Sequence, residues 1–314
     1  MCSFKILHID TNHPCLIEAL GDAGFDNHLG HKLERRAILS VIDQYDGVVI
    51  RSRIKIDREF IDHAKSLKFI ARVGAGLDAI DVFYAQEKGI ELISAPEGNS
   101  NAVGEHAMGF VLSLMNRLNP ADRQVKSGQW QREINRGEEL KGKTVGIIGY
   151  GHMGQSFAKK LSGFDCRVLC HDILPDKSDQ YAEQVPLETL FEQAQILSLH
   201  TPLTPQTRAL VNKAFIDCFA HPFYLINTAR GQSVVTQDLV NALNSGQILG
   251  AGLDVIEYEK SSFEALFTED TPPALKALLA MDQVILSPHI AGWTHQSKER
   301  LSRVIADKIK KRFQ

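Results

Sequence analysis

Short apolar runs alternate with segments of helical period along most of the chain. Residues 4–9, 47–50, 68–73 and 90–94 read as strands. Between them, 14–23, 56–67 and 81–88 carry helical spacing, and Gly24 and Gly89 stop the first and last of these. Alternation on this length scale implies parallel strands joined by helical crossovers. The first hundred or so residues therefore form one α/β unit. Pro96, Glu97 and Gly98 read as a breaker cluster. After it, 101–118 predicts a helix with Val103, Ala107, Phe110, Val111 and Leu114 on one face. Residues 119–140 are polar and poor in period, with Trp130 between Gln129 and Gln131. Such a segment either packs against something outside its own domain or is a surface loop whose Trp covers its own helix. A second α/β unit begins at Lys143. Its predicted strands are 144–148, 167–171, 196–200, 224–227, 248–254 and 284–287, and its predicted helices are 153–161, 187–193, 213–219 and 236–245. A charged amphipathic helix over 294–313 ends the chain. No linker, repeat or low-complexity stretch separates the units, which suggests two domains held across a cleft by crossing segments.

Composition narrows the class. A length of 314 residues suits two domains, and 44% hydrophobic with 23% charged residues is ordinary for a soluble enzyme. The formal charge of −3 carries no basic excess, so no nucleic-acid partner is expected. No apolar run reaches the roughly 18 residues of a membrane span, and no secretory signal core stands at the N-terminus, which points to the cytoplasm. The five cysteines are scattered and lack metal-ligand spacing, so free thiols in a reducing compartment and no metal site are expected.

One turn carries specific chemistry. The apolar strand TVGII runs into Gly149-Tyr150-Gly151-His152-Met153-Gly154, a helix pattern leaves it, and a second strand ends in Asp172. That is the strand–turn–helix–strand–acid arrangement of a dinucleotide site. Gly149 allows the sharp turn, Gly151 lets backbone approach a pyrophosphate, and Gly154 lets helix and strand pack closely. The helix N-terminus offers free N–H groups and a positive dipole end. Asp172 suits both hydroxyls of an adenosine ribose and would repel a 2′-phosphate, and the nearest cation, Lys177, lies five residues on. NAD is favoured over NADP.

Hydride transfer also needs a carboxylate-binding group, a proton donor or acceptor, and a carboxylate that orients it. Arg, His and Glu suit these roles. Arg230, His289 and the pair Glu257 and Glu259 each follow a predicted strand of the second unit, where ligands of open α/β sheets bind. Spacing does not choose among the twelve histidines, and His200 also ends a strand.

The stretches VGIIGYGHMG, LHTPLTPQTRALVN, LINTARG, GAGLDVIEYE and SPHIAGWT, with VVIRSR, RVGAGLDAID and APEGNSNAVGEHA before them, resemble the D-isomer-specific 2-hydroxyacid dehydrogenases over nearly the whole chain. The nearest branch is that of phosphoglycerate dehydrogenase, in a short form. The resemblance implies two Rossmann-like or flavodoxin-like α/β domains with parallel sheets and an active-site cleft between them. Residues 1–98 with 288–314 would form the substrate domain and 99–287 the NAD-binding domain, with 100–140 as a dimerisation segment, which favours external packing of Trp130. Arg230, Glu259 and His289 become the catalytic set, and Glu257 a bystander. His200, Thr201, Pro202 and Thr207 would line the cofactor site. So would Thr228, Ala229, Asp254, Ala291 and Gly292, with Asp254 at the nicotinamide carboxamide. Arg51, Ser52, Val73, Gly74, Ala75 and Gly76 would form the substrate loops. The implied activity is NAD-dependent hydride transfer on a small 2-hydroxy or 2-oxo acid, with D-3-phosphoglycerate (serine biosynthesis) ahead of glycerate or hydroxypyruvate. A relative that senses NAD(H) for a partner protein is the reading from another class. Formate dehydrogenases carry Gln where Glu259 stands. Two departures concern the substrate: Lys260 replaces the Pro that usually follows the Glu, and Ala291-Gly292-Trp293 replaces Gly-Gly-Ser.

Overall fold

Five short strands form one wholly parallel sheet: β1 (Lys5–His8), β2 (Asp26–Leu29), β3 (Gly47–Ile50), β4 (Phe69–Arg72) and β5 (Glu91–Ile93), in the order β2-β1-β3-β4-β5. Seven form another: β6 (Thr144–Ile148), β7 (Arg167–His171), β8 (Glu183–Gln184), β9 (Ile196–Leu199), β10 (Phe223–Asn227), β11 (Ile248–Leu253) and β12 (Val284–Leu286). Their order is β12-β11-β10-β9-β6-β7-β8, and every pair is parallel. This computed structural model describes residues 4–259 and 271–314. Lys260 lies outside the described residues.

Twelve α-helices occur among the described residues. Those of the first sheet are α1 (Cys15–Asp22), α2 (Arg35–Leu39), α3 (Arg58–His63) and α4 (Val82–Glu87). Next come α5 (Pro96–Met115), α6 (Leu118–Lys126), α7 (His152–Leu161), α8 (Leu187–Gln193), α9 (Lys213–Ile216), α10 (Thr236–Ser245), α11 (Pro273–Leu279) and α12 (His295–Phe313). The chain divides into Met1–Asn99 with Trp293–Gln314, and Ser100–Gly292. In the first unit, α12 buries Leu301, Ile305, Ala306 and Ile309 in a core with Leu16, Leu20, Val49 and Phe69. Central strands read as continuous apolar runs because parallel strands are covered on both faces, and β3 and β9 are buried at every position.

The sheet order reverses between β1 and β3 in the first unit and between β6 and β9 in the second. Ligands of open α/β sheets bind outside the carboxyl ends of the strands at such reversals. Each unit thus has one privileged edge, and the site follows from what the sequence places there.

Several elements differ from the sequence expectation. α5 begins at Pro96, so Pro96, Glu97 and Gly98 open a helix and do not break the chain. Proline suits a first helical turn, where its missing N–H has no partner to lose. Gly98 is needed there because a Cβ would lie 2.8–2.9 Å from Leu301. α6 was hidden because its apolar residues Leu118 and Val125 face solvent and mark no core stripe. β2 was hidden because Asp26-Asn27-His28-Leu29 is polar, as an edge strand can be. Residues 288–292 fall with the second unit, not the first, because the Asp254 carboxylate there accepts from the Ile290 and Ala291 N–H groups. Among the described residues no helix is long and apolar enough to cross a membrane.

Candidate active site

The glycine turn leaves β6 at the second unit's reversal point. Gly149 has φ +89, a left-handed conformation that costs glycine little. A Cβ on it would lie 2.8 Å from Thr201 Cγ2 and 2.9 Å from the His200 carbonyl, so the turn passes against the end of β9. Gly154 is more constrained, since its Cβ would fall 2.2 Å from the Gly149 carbonyl oxygen. Gly151 faces open space within 4 Å and caps α7 with no side chain. His152 is exposed and Met153 half-buried in the first turn of α7. The Asp172 carboxylate, at the end of β7, accepts from the Tyr150 N–H at 2.7 Å and the Leu174 N–H at 2.9 Å. Turn and acid are therefore fixed to each other. The Tyr150 hydroxyl adds to this by donating to Asp179 at 2.8 Å from a fully buried ring.

At the end of β9, the His200 ring meets the Ser198 hydroxyl at 2.8 Å and the Thr228 hydroxyl at 3.4 Å. Loss of water pushes its pKa down to about 3, so it stays neutral. A neutral ring held between hydroxyls suits a structural strand end, not a general acid. Thr207 donates to the Pro202 carbonyl and accepts from the Thr204 N–H, closing the turn over 202–207. The Thr201 hydroxyl oxygen is buried without a hydrogen-bond partner among the described residues.

β10, β11 and β12 are neighbours, and their carboxyl ends deliver the proposed chemistry. Asn227, fully buried at the end of β10, accepts from the Ala229 N–H and donates to the Arg230 carbonyl, both at 3.0 Å. It shapes the Thr228-Ala229-Arg230 turn. A Cβ on Gly231 would lie 2.0 Å from the Ile256 carbonyl oxygen, so this turn sits on the loop that follows β11. In that loop the two carboxylates part company. Glu257 accepts from the Thr236 N–H at the start of α10 (2.8 Å). Glu259 accepts from the Ile256 N–H at 2.7 Å and reaches His289 Nδ1 at 2.9 Å. An ionised carboxylate can only accept, so His289 Nδ1 is the donor of that pair.

His289 has φ +55, uncommon for a residue with a Cβ. Its N–H donates to the Asp254 carbonyl at 2.8 Å. The Asp254 side chain, 1% exposed, accepts from Ser287 Oγ at 2.5 Å, Ile290 N–H at 2.7 Å and Ala291 N–H at 2.8 Å. Asp254 thus grips the turn carrying His289, and the cofactor contact expected of it from the sequence is not needed to explain its burial. Ser287 also meets His106 Nε2 at 2.9 Å. Asn227, Ser287 and His106 were missed from sequence. Only Asn227 left a signal, an Asn just before a turn.

In the first unit, Arg51 and Ser52 follow β3, and residues 73–76 follow β4. Val73 turns its side chain into the core, and Gly74 lies where a Cβ would meet the Arg72 guanidinium at 2.5 Å. Ala75 and Gly76 are partly exposed beyond it. The Arg51 N–H donates to Asp10 at 2.6 Å, and its guanidinium carbon lies 4.5 Å over the centre of the Trp293 ring.

Residues 108–291 match the family model of the D-isomer specific 2-hydroxyacid dehydrogenase NAD-binding domain. The chain belongs to the D-isomer specific 2-hydroxyacid dehydrogenase family. It is 36% identical to a hydroxypyruvate reductase of Thermotoga maritima over 277 residues, 88% of each chain. It is 34% identical to a D-3-phosphoglycerate dehydrogenase of Archaeoglobus fulgidus, covering 97% of this chain and 56% of the relative. The chain thus spans little more than half the length of that relative. Among solved structures, D-lactate dehydrogenase from Aquifex aeolicus, complexed with NAD and lactic acid, aligns with a TM-score of 0.82 at 28% identity, over 98% of this chain and 94% of that one. Two parallel-sheet α/β domains, NAD as cofactor and action on a CH–OH group are family properties that this dehydrogenase shares. The chain fits the cofactor. The open face at Gly151, the capless N-terminus of α7, the Asp172 carboxylate and the unpartnered Thr201 hydroxyl are the features a dinucleotide would engage.

Proposed function

We propose that this dehydrogenase interconverts a short D-2-hydroxy acid and its 2-oxo acid through Arg230, Glu259 and His289. The observation that carries the reading is the His289–Glu259 pair, 2.9 Å apart, on a turn that Asp254 fixes. Bound NAD supplies or accepts the hydride. In the reductive direction His289 gives a proton to the carbonyl oxygen from Nε2, while Glu259 holds Nδ1–H and stabilises the charged ring. Arg230, whose Nη1 donates to the Ala229 carbonyl at 2.7 Å, offers its fork to the substrate carboxylate or carbonyl. Gly149, Gly151, Gly154 and the first turn of α7 would hold the pyrophosphate, and Asp172 would hold the ribose.

D-3-phosphoglycerate, and with it a place in serine biosynthesis, is the substrate the sequence motifs favour. The second reading is glycerate or hydroxypyruvate. It is supported by the near full-length similarity to a hydroxypyruvate reductase. We further propose a homodimer that uses residues 100–140, where Trp130, Ile134, Val125 and Leu118 are all more than half exposed. A cytoplasmic setting suits the free thiols of Cys15, Cys166, Cys170 and Cys218. The test is a panel of 2-oxo acids with NADH, read as loss of nicotinamide absorbance. Turnover of at least one short 2-oxo acid is expected. NADH binding with no turnover of any would remove the enzymatic reading and leave a cofactor-sensing one.

A further inference from the structure

α5 lies against β11 with its side chains in step with the strand. His106, Phe110 and Leu114 follow one another at four-residue spacing along one face of the helix. Gly250, Gly252 and Asp254 alternate onto one face of the strand and its end. A Cβ on Gly252 would lie 2.7 Å from Phe110 Cβ, and one on Gly250 would lie 3.3 Å from Leu114 Cδ2. The two glycines therefore let the helix rest directly on the strand. From His106 to Leu114 a helix rises about 12 Å, and from Gly250 to Asp254 a strand rises about 13 Å. The third pair falls in register as well. His106 Nε2 comes to 3.7 Å from Asp254 Oδ1 and 2.9 Å from Ser287 Oγ. Phe110 braces the imidazole edge-on, with ring centroids 4.6 Å apart.

The direction of each hydrogen bond in this cluster follows from counting hydrogens. Asp254 Oδ1 accepts from the Ile290 N–H and Oδ2 from the Ala291 N–H, so both oxygens face donors. Ser287 Oγ, 2.5 Å from Oδ1, has a single hydrogen and gives it to Asp254. Only lone pairs are then left on Oγ for His106, so His106 Nε2 carries the hydrogen between them. The bonds run one way, from His106 to Ser287 to Asp254. They end on the carboxylate that fixes the turn bearing His289.

Resting on the dehydrogenase reading above, we propose that His106 is a positioning residue for hydride transfer: its Nε2–H holds Ser287 on Asp254, and through Asp254 it sets where His289 stands. A hydroxyl that accepts one hydrogen bond donates a stronger one, so His106 tightens the Ser287–Asp254 contact. Asp254 converts that contact into backbone position, since the same carboxylate accepts from the two residues after His289. His106 acts on the rate because reacting groups tolerate little misplacement. It does so without touching the substrate.

The holoenzyme is assayed with NADH and hydroxypyruvate, or with whichever short 2-oxo acid the wild type reduces fastest. His106→Leu is expected to slow single-turnover NADH oxidation about three- to tenfold, the scale of one neutral hydrogen bond. KM for the acid and Kd for NADH are expected to stay near wild type. His106→Gln, which keeps an N–H donor, is expected to recover most of the rate. Ser287→Ala is expected to match the Leu variant, and the double variant to lose no more than either alone, as members of one network do. An unchanged rate in His106→Leu, a loss that Gln does not restore, or losses that multiply in the double variant each overturn the proposal. Failure of the wild type on every 2-oxo acid sinks the dehydrogenase reading itself. The network has a separate readout that needs no turnover. NMR of the histidine side chains, with the His106 signals identified by their loss in His106→Gln, is expected to show a hydrogen on Nε2. A bare Nε2 overturns the proposal, whether or not the Leu variant folds.

Discussion

His289 joins three demands at one residue. Its ring must meet Glu259, its N–H must reach the Asp254 carbonyl, and its backbone must hold φ +55 to do both. Residues held in such regions cost about 1–3 kcal/mol and persist only where surrounding contacts fix them. Asn tolerates the left-handed region better than most side chains with a Cβ. His289→Asn should therefore keep the thermal midpoint and the Kd for NADH close to wild type. Its kcat should fall about 10²- to 10⁴-fold, the usual contribution of a positioned acid or base. Calorimetry and single-turnover kinetics on the same preparation check both halves. A variant that keeps full turnover would remove His289 from the chemistry. Part of this residue was legible in the sequence and part was not. The resemblance pointed to His289 and Glu259, but spacing alone left twelve histidines in play. The left-handed backbone, and Asp254 as the group that imposes it, depend on atoms 35 residues apart along the chain and leave no local pattern.

At the scale of elements, strand ends decide the outcome. β9 ends on His200, whose pKa burial pushes down to about 3. The sign of the linkage follows directly. Between pH 6.5 and about 3 the unfolded chain binds a proton at this site and the native chain does not, so stability falls as pH falls through that window. Well inside that window the slope from this group is about 1.4 kcal/mol per pH unit. His8, at the end of β1, is lowered by burial in the same direction. Urea unfolding from pH 7.5 to pH 5 should show the loss, and His200→Asn should flatten it. A slope unchanged in that variant would mean the ring is protonated in the native state. Strands and helices with strong period were readable because burial on one face or both imposes a hydrophobic pattern. Most of the strands, and helices such as α7 and α10, fall within a few residues of where the pattern puts them. α6 and β2 were unreadable for the complementary reason: neither is organised by a core stripe, the one showing solvent its apolar side chains, the other being a polar edge. Pro96 misled because the same residue that ends helices also begins them.

For the whole molecule, the alternation of strand and helix was enough to foresee two parallel sheets, but not their order. That order matters, since it places Asp10 and Arg51 at one reversal and Gly149 and His200 at the other. The proposed dimer belongs to this scale too. Trp130 is 79% exposed and Ile134 54% exposed. Light scattering should give about twice the chain mass of 34.9 kDa for the wild type. A charge in the middle of such an interface costs several kcal/mol unless paired, so Trp130→Glu should shift the species toward one chain at micromolar concentration. A wild type that elutes as a single chain at all concentrations would exclude the dimer.

The left-handed backbone of His289 has a consequence for how the family position can change. The catalysis proposed for His289 and its backbone geometry would make separate demands on one codon. A saturation library at position 289, scored once for soluble protein and once for turnover, should rank Gly and Asn near wild type in the first screen and every substitution near background in the second. β-branched residues should fail both. Where the two rankings part, selection for chemistry is visible apart from selection for folding. Drift at this position in a lineage that had lost the activity would run toward glycine.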